Sequence, residues 1–263
     1  MFPRSGKMGA LALITGASSG IGREIARCLA SKGHDVVLVA RREGLLRSLA
    51  EELVANHGCK ADVIVADLTD KDQIGMVKQM VEDVDVLVNN AGFGKWGLLT
   101  DQEEGAVEAM VDVNVRALTS LSRHFAEKML RRGGGRILNV ASIAAFQPGP
   151  GMAAYCATKS YVLSFSRSLH TEMRGTGVTV TCLCPGYVET GFQEVAGMSL
   201  RGVESWSVIP AEKVAAVGIK AMERGRREVI PGLLNKPIPL LGRMVPVRLQ
   251  LAVVKMVLMV GRF

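Results

Sequence analysis

Ala10-Leu11-Ala12-Leu13-Ile14-Thr15-Gly16-Ala17-Ser18-Ser19-Gly20-Ile21-Gly22 is the stretch on which the fold turns. Its first five residues are apolar without alternation, the pattern of a short strand buried on both faces. A helical pattern follows over about 21–31. A glycine-rich turn between strand and helix aims backbone N–H groups and the helix N-terminus at one spot, a ready anion site. There Gly16 permits the tight turn, Gly20 lets a pyrophosphate approach, and Gly22 lets the helix lie close to the strand. An ordinary strand–helix turn would also carry glycines, but the strand before and helix after favour phosphate binding.

The same alternation repeats outward from this turn. Strands are expected over 35–40, 62–66, 85–88, 136–141, 178–183 and 228–230. Helices are expected over about 43–56, 71–81, 101–131, 210–222, and from the loop 146–151 to about 173. Apolar strands alternating with helices make a parallel sheet covered on both faces, an α/β doubly wound architecture. Ligands of such sheets sit at the carboxyl ends of the strands. At those ends stand Arg41-Arg42, Asp67-Leu68, Asn89-Asn90-Ala91-Gly92, Ser142 and Pro185-Gly186-Tyr187-Val188-Glu189-Thr190-Gly191.

Several of these residues carry chemistry. In a dinucleotide fold, the end of the second strand meets the adenosine ribose. A carboxylate there suits a free 2′-hydroxyl, and arginine suits a 2′-phosphate. Arg41, with Arg42, therefore favours NADP(H) over NAD(H). Asp67 suits an adenine amine or a loop cap, and periodicity does not choose between them. Asn114 lies in the expected 101–131 helix among Val111, Val113 and Val115, where asparagine competes for backbone hydrogen bonds. Tyr155 and Lys159, four apart on a helix, share one face. An ammonium there favours the phenolate, lowering the tyrosine pKa and fitting it for proton transfer near neutral pH.

Composition narrows the function further. The 263 residues suit one large domain, and the net charge of +7 suits anionic partners. There is no lysine/arginine block of the length of a nucleic-acid arm, and only three Tyr and two Trp, so a nucleic-acid partner is not expected. Five cysteines without a Cys-x-x-Cys pattern argue against a disulfide framework or a metal site. Met1 to Gly9 lacks a signal-peptide apolar region, which makes the cytoplasm the expected location. The segment 192–209, rich in glycine and serine, reads as a mobile substrate loop. The tail 238–263 sets Arg243, Arg248, Lys255 and Arg262 among leucine, valine and methionine. Its uncharged run Leu249 to Val254 is far too short to span a bilayer. The tail suits peripheral contact with an anionic membrane, a cover over the substrate pocket, or a subunit interface.

Thr15 to Gly22, Asn89 to Gly92, Asn114, Ser142, Tyr155/Lys159 and Pro185-Gly186 together resemble the classical short-chain dehydrogenase/reductase family, over residues 10 to 230. The resemblance implies a Rossmann-like sheet of seven parallel strands with helices on both faces. It makes Tyr155 the general acid when a carbonyl is reduced and the base when an alcohol is oxidised. Lys159 would hold the nicotinamide ribose and lower the tyrosine pKa, Ser142 would polarise the substrate carbonyl, and Asn114 would hold a water linking Lys159 to solvent. Gly16, Ser18, Ser19, Gly20, Ile21, Gly22, Asp67, Leu68, Asn89, Ala91 and Gly92 match positions around the cofactor. Pro185, Gly186, Val188 and Thr190 match the segment at its nicotinamide end. Relatives often place Arg or Lys within the glycine-rich turn to hold the 2′-phosphate. Here Ser18-Ser19 stand there, so the NADP(H) expectation rests mainly on Arg41.

The expected activity is NADPH-dependent reduction of a ketone or aldehyde to an alcohol. Phe93, Trp96, Phe146, Phe192 and Trp206 near the expected mouth point to a hydrophobic or lipid-like substrate. The family analogy adds a homodimer or homotetramer. Two other readings stand beside it: an alcohol or hydroxysteroid dehydrogenase working oxidatively with NAD(P)+, and a non-catalytic dinucleotide-sensing or membrane-associated protein. The second is disfavoured by the presence of Ser142, Tyr155 and Lys159 together.

Overall fold

The computed structural model describes residues 9–192, 196–197 and 208–258. In chain order its strands are β1 (Leu11–Thr15), β2 (Asp35–Ala40), β3 (Ala61–Val65), β4 (Val86–Asn89), β5 (Gly135–Val140), β6 (Val178–Leu183), β7 (Val188–Glu189), β8 (Ile209–Pro210) and β9 (Glu228–Val229). The helices are α1 (Gly20–Ala30), α2 (Glu43–His57), α3 (Lys71–Met80), α4 (Ala106–Val111), α5 (Leu118–Arg132), α6 (Ala153–Glu172), α7 (Ala211–Glu223), α8 (Ile238–Met244) and α9 (Val247–Leu258). Seven strands form one parallel sheet in the order β3-β2-β1-β4-β5-β6-β9, and β7 pairs separately with β8.

Alternate residues of each strand point to opposite faces, and both faces are covered. Ala12, Ile14, Val36 and Leu38 pack with Ile25 and Leu29 of α1, Leu46 and Leu53 of α2, and Val214 and Ile219 of α7. Leu13, Val37, Val39, Leu87 and Ile137 face the other way, onto Val77 of α3 and Leu121, Phe125 and Met129 of α5. Continuous apolar runs were therefore the right pattern for these strands, since neither side meets water. Asp70 caps α3, accepting from the N–H groups of Asp72 and Gln73.

One expected element is wrong. The stretch 101–131 is not a single helix. Leu99–Asp101 forms a 3-10 turn, Gly105 takes φ 80°, and α4 starts only at Ala106. The polar run from Asp101 to Gly105 has no apolar face to bury, which explains the loop. Asp112–Ala117 is then a π turn between α4 and α5. The wider turn sits at Asn114, whose side chain bonds to Phe93 and Thr158 outside its own helix. The last strand also ends at Val229, one residue earlier than expected. Of the expected substrate loop at 192–209, only Phe192, Ala196, Gly197 and residues 208–209 are described; Trp206 lies outside the described residues. Among the described residues, no helix is long and apolar enough to cross a membrane.

The approach of α1 to β1 depends on Gly22. A Cβ there would lie 2.4 Å from both Asn90 Nδ2 and the Gly16 carbonyl oxygen. Gly22→Ala is predicted to destabilise the fold by about 1–3 kcal/mol, the usual range for overpacking, read as a lower Tm. An unchanged Tm would mean that helix and strand are not packed this closely.

Candidate active site

The strand order reverses between β1 and β4, and the crevice outside their carboxyl ends is where such sheets bind ligands. Here the two strands are tied together. The Thr15 hydroxyl donates to the Val88 carbonyl at 3.2 Å and accepts from the Asn90 and Ala91 N–H groups, each at 3.0 Å. Asn90 Nδ2 donates back to the carbonyls of Thr15 (3.0 Å) and Gly16 (3.2 Å). Neither Thr15 nor Asn90 is among the site residues expected from sequence. Their pairing spans 75 positions, and local periodicity carries no trace of it.

The turn itself is built as expected at its hinge points. Gly16 (φ 66°) and Gly20 (φ 55°) occupy the left-handed region that favours glycine. Ser19 precedes α1 without a side-chain cap, and the first turn holds no acidic residue. The first N–H groups of α1 thus have no side-chain acceptor, as an anion site requires. Gly20 stands against Thr190, where a Cβ would lie 2.9 Å from Cγ2. This brings Thr190, from the end of β7, to the glycine turn.

At the edge of the turn the two arginines divide differently from the sequence expectation. Arg42 reaches in, donating from NH2 to Ser18 Oγ at 2.9 Å and to Ser19 Oγ at 2.6 Å. Arg41 points outward, its side chain 70% exposed and 3.5 Å from Asp67 Oδ2. The cation at the turn is therefore Arg42, and Ser18-Ser19 are its partners rather than a gap in the pattern. Burial alone would raise the Asp67 carboxyl, but the Thr69 N–H and hydroxyl, with Arg41, hold it below the usual carboxylate range.

Two expected cofactor residues turn their side chains away from the cleft. Asn89 donates from Nδ2 to Ser122 Oγ and to Asn139 Oδ1, both at 2.9 Å, deep in the interior. Asn139 donates onward to Ser166 Oγ at 2.9 Å. Leu68 is packed into the core against α3 and α5. At the strand ends these positions offer a ligand main chain only. Ile21 is half-buried against the opposite core, and Val188 is buried there.

The chemistry-bearing residues converge from three segments. Ser142, just past β5, accepts from the Ala144 N–H at 3.1 Å as it starts the 3-10 helix Ile143–Phe146. The Ile143 N–H donates to the Pro185 carbonyl at 2.9 Å, joining this segment to the turn after β6. Gly186 there lies against buried Asn235, whose Nδ2 a Cβ would approach to 2.4 Å. Asn235 was another residue the sequence reading passed over, because it lies far along the chain in no recognisable motif.

Tyr155 and Lys159 sit on α6, both buried. Lys159 Nζ donates to the Val140 carbonyl at 3.0 Å and lies 5.8 Å from the centre of the Tyr155 ring. Burial pushes the Lys159 ammonium down to about 8. Burial also pushes the Tyr155 phenol well above its ordinary value, with the Ser142 hydroxyl acting against this. Burial thus works against the lowering expected from Lys159 and keeps the phenol protonated. Asn114 is held from outside its own helix. Its side chain accepts from the Phe93 N–H (3.1 Å) and donates to the Phe93 carbonyl and Thr158 Oγ1 (each 3.0 Å), tying the segment after β4 to α6. A Cβ on Gly92 would meet Asn114 Oδ1 at 2.7 Å and Lys159 Nζ at 3.3 Å, which places all three together. Around Tyr155 lie Phe93, Trp96, Met152, Cys156 and Phe192, with the Phe192 ring 5.4 Å away. Phe146 lies apart from them, stacked by Arg167. Among the described residues no group of histidine, cysteine and carboxylate side chains is arranged to hold a metal.

Comparison with known proteins agrees with this geometry. Residues 10–199 match the family model for short chain dehydrogenase. Nodulation protein G of Rhizobium sp. (strain N33) is 37% identical over 198 residues, 74% of this chain and 78% of its own length. A solved short-chain dehydrogenase from Sphingobium yanoikuyae, in complex with NADPH, is 33% identical with a TM-score of 0.81, covering 85% of this chain and 88% of its own. The bulky-bulky ketone specific alcohol dehydrogenase from Comamonas testosteroni is 29% identical with a TM-score of 0.77, covering 91% of this chain and 96% of its own. The chain belongs to the short-chain dehydrogenase family. It is an oxidoreductase of the class that acts on alcohols and ketones with a nicotinamide dinucleotide.

Burying Lys159 has a signature in stability. Between about pH 8 and 10.5 the unfolded chain carries a proton on this lysine that the folded one has released, so its contribution to stability rises with pH across that window. The full shift amounts to roughly 3 kcal/mol. Lys159→Met removes the titration. Its Tm relative to wild type is predicted to fall steadily as pH is raised through the window, and a constant difference would show that the ammonium is not desolvated.

Proposed function

We propose that this chain is an NADPH-dependent reductase that converts a hydrophobic ketone or aldehyde to an alcohol. The observation that carries the reading is the convergence of Ser142, Tyr155 and Lys159 beside the segment after β4, where Gly92 and Gly94 lie against Lys159 and Tyr155. When bound in the crevice, the nicotinamide group supplies the hydride. Tyr155, kept protonated by burial, gives its proton to the substrate oxygen as negative charge develops there. The Ser142 hydroxyl donates a hydrogen bond to the same oxygen. Lys159, steadied by the Val140 carbonyl, favours the phenolate that remains. Asn114 fixes the Phe93 main chain and α6 relative to each other, and a water at its π turn completes the path from Lys159 to solvent.

Residues of this chain fit the dinucleotide. The uncapped N-terminus of α1 suits its pyrophosphate, and Arg42 with Ser18 and Ser19 suits a 2′-phosphate. The NADPH complex of the Sphingobium relative supports that preference. The apolar side chains around Tyr155, and the bulky ketones handled by the Comamonas relative, support a hydrophobic substrate. A homodimer or homotetramer belongs to the same reading on family analogy.

NADPH oxidation with a panel of bulky ketones and 3-oxoacyl thioesters tests the reading. Tyr155→Phe is predicted to lower kcat by about 10²–10⁴-fold, the usual weight of a general acid, while NADPH affinity stays unchanged. Near-normal turnover in that variant refutes the proton-donor role. Arg42→Ala is predicted to raise the Kd for NADPH at least about tenfold, in line with a lost charge-assisted hydrogen bond, and to leave NADH almost unaffected. Equal weakening of both cofactors removes Arg42 from 2′-phosphate recognition.

A further inference from the structure

We infer that the C-terminal segment from Leu233 to Met256 is a docking surface for an anionic lipid bilayer. The sequence from Pro231 to Phe263 contains no Asp or Glu, but it contains Lys236, Arg243, Arg248, Lys255 and Arg262. Within it, large apolar side chains stand in solvent: Leu233 is 78% exposed, Met244 73%, Met256 65% and Leu240 60%. Leu234, Leu241, Val247, Leu249 and Val253 are exposed as well. Such a concentration of exposed apolar residues in one segment marks an interaction site rather than ordinary surface.

The segment is anchored to the enzyme on its other side. Gln250 Nε2 donates to the carbonyls of Gly242 (3.0 Å) and Val245 (2.6 Å), locking α9 onto α8, and Gln250 and Val254 are the buried positions among residues 247–256 of α9. The other residues from Val247 to Met256 are exposed. Arg248 and Lys255, seven apart, fall on one side of this exposed surface, with Leu249, Val253 and Met256 on the other. That is the arrangement of a helix lying in the headgroup layer, apolar residues dipped towards the acyl chains and cations among the phosphates. Among the described residues no helix is long and apolar enough to cross a membrane.

Charge decides between a bilayer and a second copy of this chain. Two copies meeting through this segment would oppose cations to cations, with no acid in it to pair them. An anionic headgroup layer supplies the complementary charge. The position suits a hydrophobic substrate too. Gly242 of α8 packs on the Phe146 carbonyl, which a Cβ would approach to 2.5 Å, at the end of the 3-10 helix that Ser142 begins. Lys255 of α9 walls a groove of about 360 Å³ with Gly97, Leu98, Pro150 and Ala153, two residues from Tyr155. Docked by this segment, the enzyme holds the rim of its cleft against the bilayer.

The test is co-sedimentation of the full chain with phosphatidylcholine vesicles, with and without phosphatidylglycerol, alongside size-exclusion chromatography. The expected result is sedimentation with the anionic vesicles alone. Arg248→Glu should weaken it at least about fivefold, in keeping with the electrostatic worth of one basic residue near a charged surface. Leu249→Ser with Met256→Ser should abolish it while turnover of a water-soluble ketone is kept. These positions are exposed, so folding is not at issue. No sedimentation, or a variant that shifts oligomeric state without any vesicle binding, overturns the inference. Vesicle binding is read without turnover, so it stands or falls separately from the reductase reading.

Discussion

An ammonium group held at 5% exposure is the constraint around which this cleft is built. Lys159 gives up its water and receives one carbonyl, that of Val140, at 3.0 Å. Its depressed pKa records the imbalance. A fold tolerates such a charge only where the surroundings are fixed by other interactions. Here they are fixed from three sides. β5 supplies the carbonyl, α6 carries the lysine, and Asn114 in its π turn ties α6 to the segment after β4. Desolvation also keeps the neighbouring phenol protonated, so the two side chains are poised in opposite senses by the same burial.

The second anchor lies across the crevice. Thr15 and Asn90 join the ends of β1 and β4 through five main-chain groups, with no charge involved. That frees the first N–H groups of α1 from structural duty. Arg42 with Ser18 and Ser19 adds a cationic rim to the same turn. Steric contact completes the layout: Gly20 lets Thr190 approach, and Gly186 lets Asn235 do so. The glycines thus bring segments far apart in sequence into contact as much as they make room for a ligand.

Much of this was readable from residue order, for a physical reason. A strand buried on both faces must be apolar throughout, so β1, β2 and β4 declared themselves, and the glycine turn followed from its place between strand and helix. Tyr155 and Lys159 were readable because helical spacing alone puts them on one face. What escaped depended on contacts between distant segments. The reach of Arg42 over Arg41 is a matter of which side chain faces Ser18, and the two are adjacent in sequence. The inward turn of Asn89 depends on Ser122 and Asn139, which belong to other elements. The π turn at Asn114 was hidden inside a stretch whose periodicity suited one helix. The raised pKa of Tyr155 comes first from burial, which spacing does not reveal.

Hydride delivery to a substrate carbonyl in this crevice is the claim on which the functional account rests. The direct measurement is mass spectrometry of the alcohol formed from a bulky ketone with NADPH deuterated at its transferable position. The account predicts deuterium at the carbinol carbon of the product. Alcohol without deuterium, or tight NADPH binding with no alcohol from any ketone offered, would contradict it.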